Sequence, residues 1–325
     1  MYNKNCFAKC EMVFLFIDKI GGRLLNYTII NQILILMLMM VIGITLRKKN
    51  IITDEVNKGL SNILLCATLP CLIVNSFNID FSMEMFKNAV TILICSICIH
   101  ILFIIFSNIF YFRMTKDKKS IYKFATVFSN CGFIGYPIVQ GIFGDIGVFY
   151  TSIYTIPFNI FMWSYGVMLF TGEKDLKTIK KNLINMPTLS IVVGVIVFIF
   201  SINIPPFILS TLQGVGSMTT PLSMFIIGSM LANVEIKKVF KGFEIYYMSF
   251  IKLILAPIFI AFVLKLFDIN EVILQVCVIM VAMPTATLIG VLAEKYDINK
   301  EAASKSAFFT TVLSLLTIPL IMAIV

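Results

Sequence analysis

Ten apolar runs, each long enough to cross a lipid bilayer as a helix, follow one another with only short polar loops between them. They fall at 27–46, 57–77, 88–111, 121–144, 147–171, 183–202, 207–232, 243–266, 271–294 and 302–324. A helix rises 1.5 Å per residue, so about 20 residues span a hydrocarbon core of about 30 Å. Composition points the same way. Of the 325 residues 59% are hydrophobic and 13% charged, and the mean hydropathy is +0.97. Soluble domains carry about 25% charged residues, and a soluble fold of this length could not cover its surface with so few. A cytosolic enzyme, a nucleic-acid module and a disordered chain are excluded. The predicted class is an all-α polytopic membrane protein.

The formal charge of +9 is a topology signal here. Nineteen of the 26 basic residues lie at loops following odd-numbered spans, from Arg47 and Lys48 through Lys174–Lys181 to Lys305, and loops after even-numbered spans hold only Lys87 and Lys265. Basic loops stay in the cytoplasm. The expected protein therefore sits in the cell membrane with both termini outside. The N-terminal tail, 1–26, runs against this rule with Lys4, Lys9, Lys19 and Arg23. Its apolar stretch, Met12 to Ile17, is too short for a signal peptide.

The single histidine, His100, lies inside an apolar run, which excludes multi-histidine metal sites and most histidine-based hydrolases. Six of the eight cysteines fall within spans and read as small apolar fillers. No cofactor is expected.

The chain repeats itself. Thr68-Leu69-Pro70 of span two is matched by Thr219-Thr220-Pro221 of span seven, and Ser129-Asn130-Cys131-Gly132-Phe133-Ile134-Gly135 of span four by Pro284-Thr285-Ala286-Thr287-Leu288-Ile289-Gly290 of span nine. The expected layout is a tail at 1–26, a five-helix repeat at 27–171, a cytoplasmic linker at 172–182 and a second repeat at 183–325. Five is odd, so the second repeat enters from the opposite side. Inverted repeats are a hallmark of secondary transporters.

Spans four and nine carry helix-weakening residues: Gly132, Gly135, Pro137 and Gly141 in one, Pro284 and Gly290 in the other. Backbone groups freed by such breaks cannot face lipid. Two breaks at matched positions of inverted halves would cross near the midplane, where half-helix N-termini suit an anion; paired packing kinks are the plainer alternative. Asn130 and its repeat-mates Thr285 and Thr287 fit either ligand contact or backbone repair. Asn159, midway along span five, fits ligand contact or interhelical adhesion. Lys252 is the charged residue deepest in a span; it could offset an anion, alternate with a coupling cation, or snorkel. His100 fits helix contact or proton coupling. All seventeen carboxylates lie in loops, tails or span ends. A coupling sodium ion would need neutral ligands, and a coupling proton would have to ride on the substrate, His100 or Lys252; the ion, if any, stays open.

The motifs together resemble the auxin efflux carrier family, which includes bacterial malate permease-like transporters and plant auxin exporters. The resemblance rests on Gly43-x-x-Leu46-Arg47-Lys48-Lys49, Leu69-Pro70, Ser129-Asn130-x-Gly132-Phe133-x-Gly135-x-Pro137 and Lys252-Leu253-x-x-x-Pro257, and covers 27–325. It implies ten helices in two inverted five-helix repeats with broken, crossing helices four and nine. It implies a scaffold of spans one, two, six and seven that forms a homodimer, and a transport domain that moves against it as an elevator. It implies an organic anion held at the crossover, beside Asn130 and Asn159. Ser129 stands where plant exporters have proline, and the linker is short; both favour the malate permease-like branch. The expected activity is alternating-access transport of a small organic anion such as malate, with lipid as the other partner and no nucleic acid. A sodium-coupled carrier of a larger amphipathic anion is the alternative, and a receptor or channel the rival class. An enzyme would need a nucleophile–base or metal set that is absent here.

Overall fold

The computed structural model describes residues 30–172, 182–232 and 242–324. The predicted tail, nearly all of the predicted linker and the loop lysines Lys174–Lys181 and Lys237–Lys241 lie outside the described residues. The helices are α1 (Ile30–Lys48), α2 (Asp54–Ser76), α3 (Met83–Phe110), α4 (Lys116–Val127) and α5 (Cys131–Thr171). They continue as α6 (Met186–Ile199), α7 (Pro206–Ala232), α8 (Phe243–Lys265), α9 (Glu271–Ala282), α10 (Leu288–Lys295) and α11 (Lys300–Ile324). Seven of them, α1, α2, α3, α5, α7, α8 and α11, are long and apolar enough to cross a membrane. No strand occurs among the described residues. The chain is an all-helical, multi-pass membrane protein.

Local chemistry starts the helices where the loops end. Thr53, Ser82, Asn185 and Asn270 each place a side-chain oxygen on a backbone N–H of the first turn of α2, α3, α6 and α9, which satisfies donors with no intrahelical partner.

The prolines inside α2, α5 and α8 do not break them. Pro70, Pro137 and Pro257 each follow a five-residue π-helical turn, at Leu64–Thr68, Cys131–Gly135 and Ile251–Leu255. Proline lacks an N–H and its ring crowds the carbonyl four residues back; the wider turn moves that carbonyl aside and the helix continues. Gly132, Gly135 and Pro137, suggested by the sequence as the break in span four, therefore sit in the opening turns of α5. The extended break lies just before them, at Phe128–Asn130. Spans four and five run on as one helical stretch, parted by Gly144 at φ 60° and ψ −147°, a conformation that favours glycine.

Two groups of helices pack together. In the first, α1 crosses α7 through glycines: a Cβ on Gly43 would lie 2.6 Å from the Phe225 carbonyl oxygen, and one on Gly228 2.2 Å from that of Met40. The C-terminal half of α2 packs against α6 and the first half of α7. The second group gathers α3, α4, α5 and α8–α11. Here α9 is enclosed on every side, with Ile273–Ala282 all buried, as expected of a helix apolar all round. Between the groups, Ile33, Leu36 and Met40 of α1 and Met224 of α7 meet Ile134 and Ile138 of α5 and Leu315 and Ile318 of α11 around a void of only about 20 Å³.

Substituting Gly228→Val should force α1 and α7 apart at a backbone contact. Overpacking of this kind costs about 1–3 kcal/mol, so the thermal midpoint in detergent should fall; an unchanged midpoint would contradict the close crossing.

Candidate functional site: the helix crossing and its cavity

Four helix ends meet at one point. α4 ends at Val127 and α9 at Ala282; α5 starts at Cys131 and α10 at Leu288. The extended segments between them lie antiparallel, bridged at Ser129 and Thr285. The Asn130 N–H donates to the Pro284 carbonyl at 2.7 Å, and the Ala286 N–H to the Phe128 carbonyl at 3.0 Å. Each break thus satisfies the backbone of the other, which matters where no water can.

Side chains finish the pairing. The Thr285 N–H donates to Thr310 Oγ1 at 3.1 Å, and Thr285 Oγ1 donates to the Ala125 carbonyl at 3.1 Å. Lys252 reaches in from the π turn of α8; its Nζ donates to the Thr126 carbonyl at 3.1 Å and to Ser129 Oγ at 2.6 Å. A cation is well placed there, because the C-terminal end of α4 carries partial negative charge. Lys252 is 1% exposed and does not snorkel.

Asn130 caps α5: its Oδ1 accepts the Phe133 N–H at 3.3 Å. Its Nδ2 is enclosed and has no hydrogen-bond partner among the described residues. An enclosed, unpaired donor costs about 1–3 kcal/mol, so the site is short of an acceptor.

Beside the crossing lies a cavity of about 510 Å³. Its walls are the first half of α2, the start of α5 with the Thr155–Trp163 stretch of the same helix, the segment leading into α6, and the start of α10. The structure brings Ser129, Asn130, Gly132, Asn159 and Thr287 to this cavity. The other sequence candidates lie behind it. Thr285 and Pro284 belong to the bridge, Lys252 stands behind Ser129, and Pro137 sits in the first turn after the π segment. Gly135 packs on Met280 of α9, and Gly290 lies early in α10. His100 is apart, its Nδ1 2.6 Å from the Ser96 carbonyl and its ring stacked on Phe161.

Several wall residues are missed by sequence reasoning, among them Asn62, Thr155, Asn185 and Trp163. Trp163, the single tryptophan, lines the cavity from the second π turn of α5, and its indole N–H is also enclosed and unpartnered. It lies inside the predicted span 147–171, and no sequence signal marks it as a wall of the site.

The electrostatics favour an anion. No charged side chain among the described residues lines the cavity. The N-terminal ends of α5 and α10, which carry partial positive charge, lie at it, and two of its wall residues, Asn130 and Trp163, hold enclosed N–H donors without acceptors among the described residues. Among the described residues no group of three or more His, Cys, Asp or Glu side chains could hold a metal.

Thr310→Val would leave the Thr285 N–H without its acceptor at the heart of the crossing. A loss of about 1–3 kcal/mol is expected, read as a lowered unfolding midpoint; a variant as stable as the parent would show that this bond is dispensable.

Comparison with known proteins agrees with this architecture. A family profile described as membrane transport protein matches residues 28–183 and 173–322. An uncharacterized transporter of Methanocaldococcus jannaschii is 27% identical over 89% of this chain and 96% of its own length. An uncharacterized transporter of Methanothermobacter thermautotrophicus is 27% identical over 60% of this chain and 65% of its own. A protein of Rhizobium meliloti, provisionally named a malonate transporter, is 30% identical over 35% of this chain and 41% of its own. With its many apolar helices and a family match over nearly all of them, the chain belongs to the membrane transport protein family of the auxin efflux carriers and is a transporter, not an enzyme.

Proposed function

We propose that this protein is a secondary transporter that carries a small organic anion, a carboxylate such as malonate or malate, by alternating access. The observation that carries the reading is the crossing itself. It sets two helix N-termini and Asn130, whose amide nitrogen has no partner among the described residues, at a cavity to which no described residue brings a charge, so a carboxylate would supply the acceptor that the site lacks. The provisional name of the Rhizobium meliloti relative supports the same substrate class.

In this reading the chain forms ten spans in two inverted repeats, 27–171 and 183–325, in the cell membrane with both termini outside. The cavity reaches Asn182–Met186 at the entry to α6, next to the basic linker, so it opens toward the cytoplasm. The first helix group is the scaffold, which also forms the homodimer. The second moves against it as an elevator, and the apolar contact between α1 and α7 on one side and α5 and α11 on the other lets it slide with few bonds to break. Asn130, Asn159 and Thr287 contact the substrate, and Lys252 offsets its charge. Lipid is the other partner, nucleic acid plays no part and no cofactor is needed. A second reading, a sodium-coupled carrier of a larger amphipathic anion, is favoured by the cavity's size, which lies in the range that holds drug-sized ligands, and by apolar walls such as Leu65, Phe158 and Met162.

Purified protein in liposomes, supplied with labelled malonate or malate with and without a sodium gradient, tests the proposal. Saturable uptake is expected, at least tenfold lower in Asn130→Ala with folding unchanged, as loss of a hydrogen bond to a charged group implies. Wild-type rates in the variant would remove Asn130 from the site. Uptake of a bile-salt-sized anion in place of both diacids would favour the second reading, and the sodium comparison decides coupling.

A further inference from the structure

We propose that Ser129 is a further substrate-contacting residue and that Lys252 is the positioning residue that turns its hydroxyl into a donor. The inference rests on the carboxylate-site reading above and assigns a role to a pair that reading leaves unconnected.

Ser129 lies in the extended strip of the crossing, is 5% exposed and lines the cavity. Lys252 lies behind it, outside the cavity wall, with its Nζ 2.6 Å from Ser129 Oγ. An ammonium has donors and no acceptor, so in this contact the serine oxygen must accept. Its own proton has to point elsewhere, and no acceptor for it occurs among the described residues. A hydroxyl that accepts from a cation is a stronger donor in turn. The Thr126 carbonyl takes a second Lys252 N–H and holds the ammonium in place.

The opposite side of the bridge shows the contrast. Thr285 also presents a hydroxyl at the crossing, but its proton is already given to the Ala125 carbonyl. Of the two bridged residues, Ser129 alone has a proton to offer. Lys252, moreover, forms no ion pair among the described residues. A carboxylate taking the Ser129 proton would stand one hydroxyl away from that cation and balance it. The arrangement is a relay, from Thr126 carbonyl to ammonium to hydroxyl to bound carboxylate, that passes positive potential into the cavity while the charge itself stays buried.

The single tryptophan gives a direct readout, since Trp163 lines the same cavity. Purified protein in detergent is titrated with malonate and its intrinsic fluorescence followed. Relative to the parent, Ser129→Ala should raise the apparent Kd about tenfold or more, the worth of a charge-assisted bond. Ser129→Thr, which keeps the hydroxyl, should restore binding to within about threefold. Lys252→Met should match Ser129→Ala, and the double variant should be no worse than either, because one relay is removed once. Losses that add, or an unchanged Kd in Ser129→Ala, would overturn the relay. If Lys252→Met does not fold, the serine pair decides alone. The two readings fail differently: binding lost in Asn130→Ala yet kept in Ser129→Ala sinks the relay and leaves the site. A folded parent protein with no saturable response to malonate sinks the carboxylate reading and the relay with it.

Discussion

The candidate site depends on two short extended segments pairing their backbones between packed helices. A helix that stops inside a protein releases N–H and C=O groups, and each such group left buried and alone is costly. Here the break at Phe128–Asn130 and the break at Met283–Thr287 answer one another through the Asn130–Pro284 and Ala286–Phe128 hydrogen bonds. Neither break is tolerable without the other. The fold must therefore dock α4 and α5 against α9 and α10, and it encloses α9 on all sides to do so.

That constraint has an electrical consequence. Two helices begin and two end at the same place, so partial charges of both signs converge. Lys252 covers the negative end of α4 from behind. The positive ends of α5 and α10 are left at the cavity, and its wall residues Asn130 and Trp163 hold N–H donors that find no acceptor among the described residues. Among the described residues the cavity has polarity without a charged wall, which would suit the proposed carrier: dipoles and hydrogen bonds would hold a carboxylate less tightly than a direct ion pair and release it more readily. The apolar contact between the two helix groups would suit the proposed sliding motion, since few polar groups would be exposed by it.

Much of this is legible in the sequence, and the exceptions have physical causes. Ten apolar runs and the alternation of basic loops announce a helical membrane bundle, and Asn130 and Pro284 mark the neighbourhood of the crossing because polar and helix-breaking residues are expensive in mid-span. The position of the first break is not legible. Gly132, Gly135 and Pro137 look like the rupture, yet a π turn absorbs the proline, as at Pro70 and Pro257. The rupture itself falls on Phe128–Ser129–Asn130, which contains no glycine or proline. What holds it extended is the matching segment more than 150 residues away, and no local pattern reports that. Lys252 reads correctly as a buried cation, but its partners, a carbonyl and a serine hydroxyl, are set by how α8 docks against α4. Trp163 is silent for a related reason: whether a tryptophan within a span faces lipid or a cavity depends on the packing of α5 against α2 and α6.

The central claim is that the crossing holds a carboxylate. The most direct measurement is an experimental structure of the protein with malonate bound, at a resolution that places the ligand. A carboxylate is expected in the cavity beside the first turns of α5 and α10, within hydrogen-bond distance of Asn130 Nδ2 and Ser129 Oγ. Ligand density elsewhere in the molecule, with Asn130 still unpartnered and the crossing empty at saturating malonate, would contradict it.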